Sequence, residues 1–253
     1  MRSIFAHTLN DLNSQKFQGT DMKIKHIPAV LVAAFAMVAI APAHADQIYW
    51  ANWNEASKVA GAGATPGSAT GTITLPGGPV TVSYSGELFL AGDQGNWSQN
   101  PGTYTSSVVD NAPSPNTVSI QLRGGNTFVN TLTFSSPLIN PVMAIQSLGQ
   151  GPDPATYNFG NTSFTLLSQG GGHWLGCNTC LSVVGNALVG HEGNGTIQFT
   201  GTYSAISWTV PDGENYHMFT IGAPVPEPET YAMLLAGLGL MGALARRRNR
   251  QPT

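Results

Sequence analysis

The sequence predicts an all-β fold, a single antiparallel β-sandwich of jelly-roll type, with one apolar segment before it and another after it. Three observations carry that expectation. Apolar residues alternate with Ser, Thr or Gln in Thr72 to Leu75, Val80 to Tyr84, Val118 to Leu122, Leu132 to Phe134, Ile197 to Phe199 and Ile206 to Val210, the period of a half-buried antiparallel strand. Clusters of Gly, Pro, Asn and Asp punctuate the chain at Pro76 to Gly78, Gly92 to Asn96, Arg123 to Asn126, Gly149 to Asp153 and Pro211 to Gly213, each with turn chemistry. Between the two apolar ends no helical face is visible, so about ten short strands are expected.

The first apolar segment has the order of a secretory signal. Residues 1–21 are polar, patternless and unlike a targeting signal, and Met22 is the better start, so 1–21 is expected to be a misassigned start. Lys23 and Lys25 then form a positive region, Ala29 to Ile40 an apolar run, and Ala43-His44-Ala45 a small-x-small site with cleavage after Ala45. The run would rise only about 18 Å as a helix against about 30 Å of hydrocarbon, so residues 22–45 are expected to be a cleaved signal peptide and not an anchor.

Residues 46–223 form the expected sandwich. Only Lys58 and Arg123 are basic there, against Asp46, Glu55, Glu87, Asp93, Asp110, Asp153, Glu192, Asp212 and Glu214, a formal charge of about −7 that the whole-chain value of −3 conceals. Such a surface has no electrostatic footprint for nucleic acid, and none is expected as a partner. About 178 residues suit one hydrophobic core better than two.

Trp50 and Trp53 near the start of this segment, and Trp174 at the tip of a Gly-rich loop from Gly170 to Gly176, are the candidate glycan contacts, because an apolar sugar face packs on a ring. Core packing is the competing fate of each. Cys177 and Cys180 are the two cysteines, and in an exported chain a small loop disulfide is favoured. The weaker alternatives are a metal held with His173 and His191, whose spacing matches no finger pattern, and a redox pair, which would want a helix start behind Cys177.

No catalytic constellation stands out, and an enzyme is not expected. Gly-x-Ser-x-Gly is absent, and His191-Glu192 lacks the second histidine of a helical zinc site. Glu87, Glu192 and Glu214 could still meet as a carboxylate pair of the glycosidase kind, which spacing alone does not decide. No cofactor is expected. The oxygen-rich turns Asp93 to Asn96 and Asp212 to Asn215 leave calcium as a weak candidate ion, although neither follows the twelve-residue loop pattern.

The C-terminal segment joins three parts without a gap. Val225-Pro226-Glu227-Pro228 is an extended, accessible ribbon, since proline there excludes helix and central strand. An apolar run over residues 231–245 follows as a single transmembrane helix, and Arg246, Arg247, Arg248 and Arg250 form a basic stop that stays on the cytoplasmic side. Fifteen residues rise about 22 Å, short for a permanent span, and suit a temporary tether. This tail, residues 224–250, resembles the PEP-CTERM sorting signal of Gram-negative bacteria. The resemblance implies exosortase as a partner, transient tethering in the inner membrane, and delivery to the cell surface or the extracellular space in a biofilm and exopolysaccharide setting.

A second resemblance covers the sandwich. Ile48 to Trp53, Ala60 to Gly71, Val80 to Glu87 and Asn215 to Gly222 are similar to a recurring group of β-rich PEP-CTERM ectodomains. It implies no catalytic residues, and the two ends are expected to pair as neighbouring strands. The expected role is a non-enzymatic structural or adhesive surface protein; the alternative is a carbohydrate-binding or carbohydrate-active module.

Overall fold

The computed structural model describes residues 45–61, 63–94, 97–225, 235–242 and 246. The strands are β1 (Ile48–Trp50), β2 (Asn52–Lys58), β3 (Thr65–Leu75), β4 (Gly78–Leu88), β5 (Leu90–Gln94), β6 (Val118–Leu122), β7 (Val129–Ile139), β8 (Val142–Leu148), β9 (Ala155–Asn158), β10 (Thr165–Gly170), β11 (Leu181–Val184), β12 (Ala187–Gly190), β13 (Gly193–Gln198), β14 (Thr202–Thr209) and β15 (His217–Pro224). Two short 3-10 turns, Trp97–Gln99 and Pro101–Tyr104, interrupt them.

The strands form two antiparallel sheets. One runs β10-β13-β8-β15-β6-β5, with β1 also pairing β15; the other runs β11-β12-β9-β14-β7-β4-β3-β2. Inward-facing residues of both sheets make the main core, including Trp53, Tyr84, Leu132, Tyr157, Phe199, Trp208 and Phe219. All six strands expected from alternation are present.

Burial on both faces hid two others. Every residue of β8 is buried, and β15 is buried from His217 to Ala223. One face of this sheet meets the main core. The other lies under the segment carrying both 3-10 turns, where Trp97 and Tyr104 pack with Ala144 and Met218. A strand covered twice has no polar side, so alternation disappears.

The expected turn over Gly92 to Asn96 is corrected for its first three residues, Gly95 and Asn96 lying outside the described residues. Leu90 to Gln94 is strand β5, paired with β6 through a register shift between Ala91 and Asp93, so Gly92 marks a bulge inside a strand and not its end. The chain ends do pair as expected, with Ile48 opposite Pro224 and Trp50 opposite Gly222.

Strand direction places the rest. Gly193 lies opposite Leu148, Gly170 opposite Asn194, and His217 opposite Leu122. Thus the ends of β6, β8 and β10 and the starts of β13 and β15 share one end of the sandwich. Ile48 and Pro224 lie at the other, about 25 Å away along β15.

Residues 235–242 are helical, with Leu235, Leu238, Leu240 and Met241 exposed. Among the described residues no helix is long and apolar enough to cross a membrane. Of the predicted span 231–245 only 235–242 is described, and the signal region before Ala45 lies outside the described residues, as do Pro226, Glu227, Pro228, Arg247, Arg248 and Arg250.

Candidate functional site

At the end remote from Pro224 the crossings of the chain between the two sheets include those from β8 to β9, from β12 to β13 and from β14 to β15. The loop from β10 to β11 joins them there. These crossovers surround a cleft of about 200 Å³ lined by Ser147, Trp174, Glu192, Glu214, Asn215 and Tyr216, among others.

A bulge sets its floor. Gly193 pairs Leu148 and Gly195 pairs Ile145, so Asn194 alone faces Gln146 and Ser147. Ser147 takes φ 62° and Glu192 φ 60°, left-handed conformations that only a determined environment holds in non-glycine residues. Asn194 supplies it. Its Oδ1 accepts the Ser147 N–H at 2.9 Å, and its Nδ2 donates to the Glu192 carbonyl at 3.0 Å and to the Leu175 carbonyl at 3.4 Å.

The Gly-rich loop is therefore a packed wall. At Gly176, φ is +88° and a Cβ would overlap the Asn194 side chain and the Glu192 carbonyl. Trp174, 44% exposed, stands on this wall. Its ring meets Tyr216 edge-on at 6.0 Å and His173 at 4.4 Å.

Two carboxylates line the cleft, Glu192 half-buried and Glu214 with its side chain only 2% exposed. Glu192 Oε1 accepts the Ser147 hydroxyl. Burial pushes Glu192 above the ordinary carboxylate pKa, the Ser147 hydrogen bond opposes this, and the charge of Glu214 adds to it. Glu214 Oε1 accepts the Gly149 N–H at 2.8 Å and the His217 Nδ1–H at 2.6 Å. His217 is fully buried, packs on Tyr157 at 5.1 Å, and leaves Nε2 without a partner.

The remaining candidates separate. Trp53 is corrected from glycan contact to core: it is 6% exposed, donates through Nε1 to Thr220 Oγ1 at 3.3 Å and packs edge-on against Phe219. Trp50 is half-buried and borders a second groove, about 410 Å³, with Tyr49, Asn52, Asn111 and Ser114 at the Pro224 end. Glu87 is buried away from the cleft and accepts the N–H groups of Arg123 and Gly124. Cys177 and Cys180 form a disulfide, so their sulfurs are not ligands beside His173 and His191. Both histidines are exposed, and among the described residues no group of three His, Cys, Asp or Glu could hold a metal. Asp93 lies within β5, and Glu214 of the other oxygen-rich turn is committed to Gly149 and His217.

Sequence reasoning missed Ser147, Asn194 and Tyr216. The available signal was Gln146-Ser147, a polar pair inside the apolar run of β8.

Beyond β15 the chain passes through Val225, the only described residue of the Val-Pro-Glu-Pro ribbon, toward the apolar run and Arg246. Residues 224–249 match the PEP-CTERM protein-sorting motif. The chain thus carries a PEP-CTERM signal, which implies processing by exosortase, export through a membrane-anchored intermediate, and then a place at the cell surface or release. The match covers the tail alone. Neither the curated proteins nor the solved structures contain a match to the chain.

Proposed function

We propose that this PEP-CTERM protein is a non-enzymatic adhesive component of the cell surface or extracellular matrix that holds a polysaccharide in the cleft of Trp174, Glu192, Glu214 and Tyr216. The observation that carries this reading is the convergence of two carboxylates with two aromatic rings in one cleft. Carboxylate oxygens accept sugar hydroxyls, and ring faces take apolar sugar faces. Glu214 already spends one oxygen on Gly149 and His217, which suits a fixed acceptor better than a group that must shuttle protons.

Placement supports the same role. The cleft lies at the start of β15 and the chain leaves toward the sorting tail from its end, so the cleft stands about 25 Å from the point where the tail departs. Export through the signal peptide 22–45, transient residence in the inner membrane, a jelly-roll sandwich and a biofilm exopolysaccharide as ligand belong to this proposal. The alternation of the later strands between the two sheets favours the jelly-roll description.

Glycan-array binding of the exported protein tests the proposal. Selective binding that Trp174→Ala abolishes while the melting curve is unchanged supports it. No glycan bound by the wild type, or turnover of a bound glycan that Glu192→Gln abolishes, refutes the adhesive reading.

A further inference from the structure

The charge in the cleft narrows the ligand class beyond a generic sugar, an inference that rests on the glycan-binding reading above. Glu192 and Glu214 both line the cleft, and its lining contains no Lys or Arg. The basic side chains of the sandwich are occupied elsewhere: the Lys58 ammonium sits 5.7 Å and the Arg123 guanidinium 4.9 Å from the centroid of Phe89. Glu214 has an imidazole partner in His217, whereas Glu192 takes a neutral hydroxyl from Ser147. Burial and the neighbouring carboxylate both penalise the ionised form of Glu192. When ionised, Glu192 has no cationic side chain in the lining to balance it, and a ligand cation would supply that balance.

The rim favours the same ligand. The faces of Trp174 and Tyr216 attract cations as well as apolar sugar faces. Ser147, Gln150 and Asn215 add neutral hydrogen-bonding groups for hydroxyls. The volume of about 200 Å³ lies below the roughly 300–1,000 Å³ of drug-sized sites and suits one pyranose residue of a longer chain.

We propose that the cleft selects a hexosamine residue with a free, protonated amino group, its ammonium held between Glu192 and Glu214 and its ring against Trp174. An N-acetylated residue replaces the cation by a bulkier neutral amide and forfeits the charge-assisted hydrogen bonds, which are roughly twice as strong as neutral ones.

The test titrates the full exported protein with a fully deacetylated glucosamine hexasaccharide, its fully N-acetylated counterpart and calcium chloride alone, in low-salt buffers from mildly acidic to neutral pH, because the amine must be protonated while Glu192, whose pKa is raised, must be ionised. The deacetylated chain should bind about tenfold more tightly or better, and lose that advantage in Glu192→Gln and at high salt. Trp174→Ala should weaken both chains, with a melting curve recorded for each variant. Equal binding of the two chains, or preference for the acetylated one, overturns the selectivity and leaves the glycan reading standing. Binding of neither chain, with a different neutral glycan bound on the array, does the same. Calcium binding that Glu192→Gln abolishes overturns the amino-sugar assignment in favour of an inorganic cation. No binding to any glycan removes both proposals together.

Discussion

Replacing Asn194 by Ala should dismantle the cleft while leaving the sandwich folded. Asn194 is 1% exposed, and its amide joins Ser147, Glu192 and Leu175 through three hydrogen bonds of 2.9, 3.0 and 3.4 Å. Alanine removes all three and strands the Ser147 N–H in a buried site. A hydrogen bond contributes about 1 kcal/mol net, and an orphaned buried group costs about 1–3 kcal/mol, so the loss is roughly 2–4 kcal/mol. For a domain of this size each kcal/mol moves the midpoint by about 2–4 °C, so Tm should fall by roughly 4–16 °C. Binding should suffer more than stability. Left-handed Ser147 and Glu192 each store about 1–3 kcal/mol of conformational strain, and without the amide that holds them they relax out of the binding geometry. Asn194→Asp keeps the acceptor for Ser147 but loses both donor contacts and sets a negative charge beside the Glu192 carbonyl, so it should abolish binding as well. Thermal denaturation followed by circular dichroism, with a glycan titration on the same samples, checks both effects. A midpoint within about 1 °C of wild type with binding intact would refute the role given to Asn194.

Three further outcomes are expected. Because the folded chain holds the Glu192 proton more tightly than the unfolded chain, this group's contribution favours folding below the ordinary carboxylate pKa and is lost as pH rises through the raised one; Glu192→Gln should flatten that part of the Tm profile and melt no lower than wild type at neutral pH. Trp53→Ala should cost about 3–5 kcal/mol as a core truncation, whereas Trp174→Ala should stay within about 0.5 kcal/mol, a contrast that denaturant titration measures directly. Replacing Cys177 and Cys180 by Ser should cost no more than about 2 kcal/mol, since the bridge closes a very short loop and constrains little of the unfolded chain; a larger loss in the same titration would contradict this.

Legibility in the sequence followed the physics of each element. Strands with one wet face, such as Val80 to Tyr84 within β4 and Ile206 to Thr209 within β14, announce themselves by period two. β8 and β15 do not, because the segment around Trp97 and Tyr104 covers the face that would have been polar. The glycine-rich loop is ambiguous as a string: its glycines could mean mobility, and only the overlap with Asn194 shows that Gly176 is required by close packing. Trp53 and Trp174 have the same side chain and opposite fates, one against Phe219 and the other on an exposed rim.

The sequence by itself determined the tail and the sandwich class. Those signals are local in the chain: a run of residues, a period, a proline spacing. The site was decided only by tertiary structure. Ser147 comes from the end of β8, Glu192 from the crossover between β12 and β13 and Glu214 from that between β14 and β15, and no local pattern encodes which of these share an end. The two sheets and the order of their strands bring Glu192 and Glu214 together, bury Glu87 elsewhere, and turn a scattered set of carboxylates into one acidic cleft.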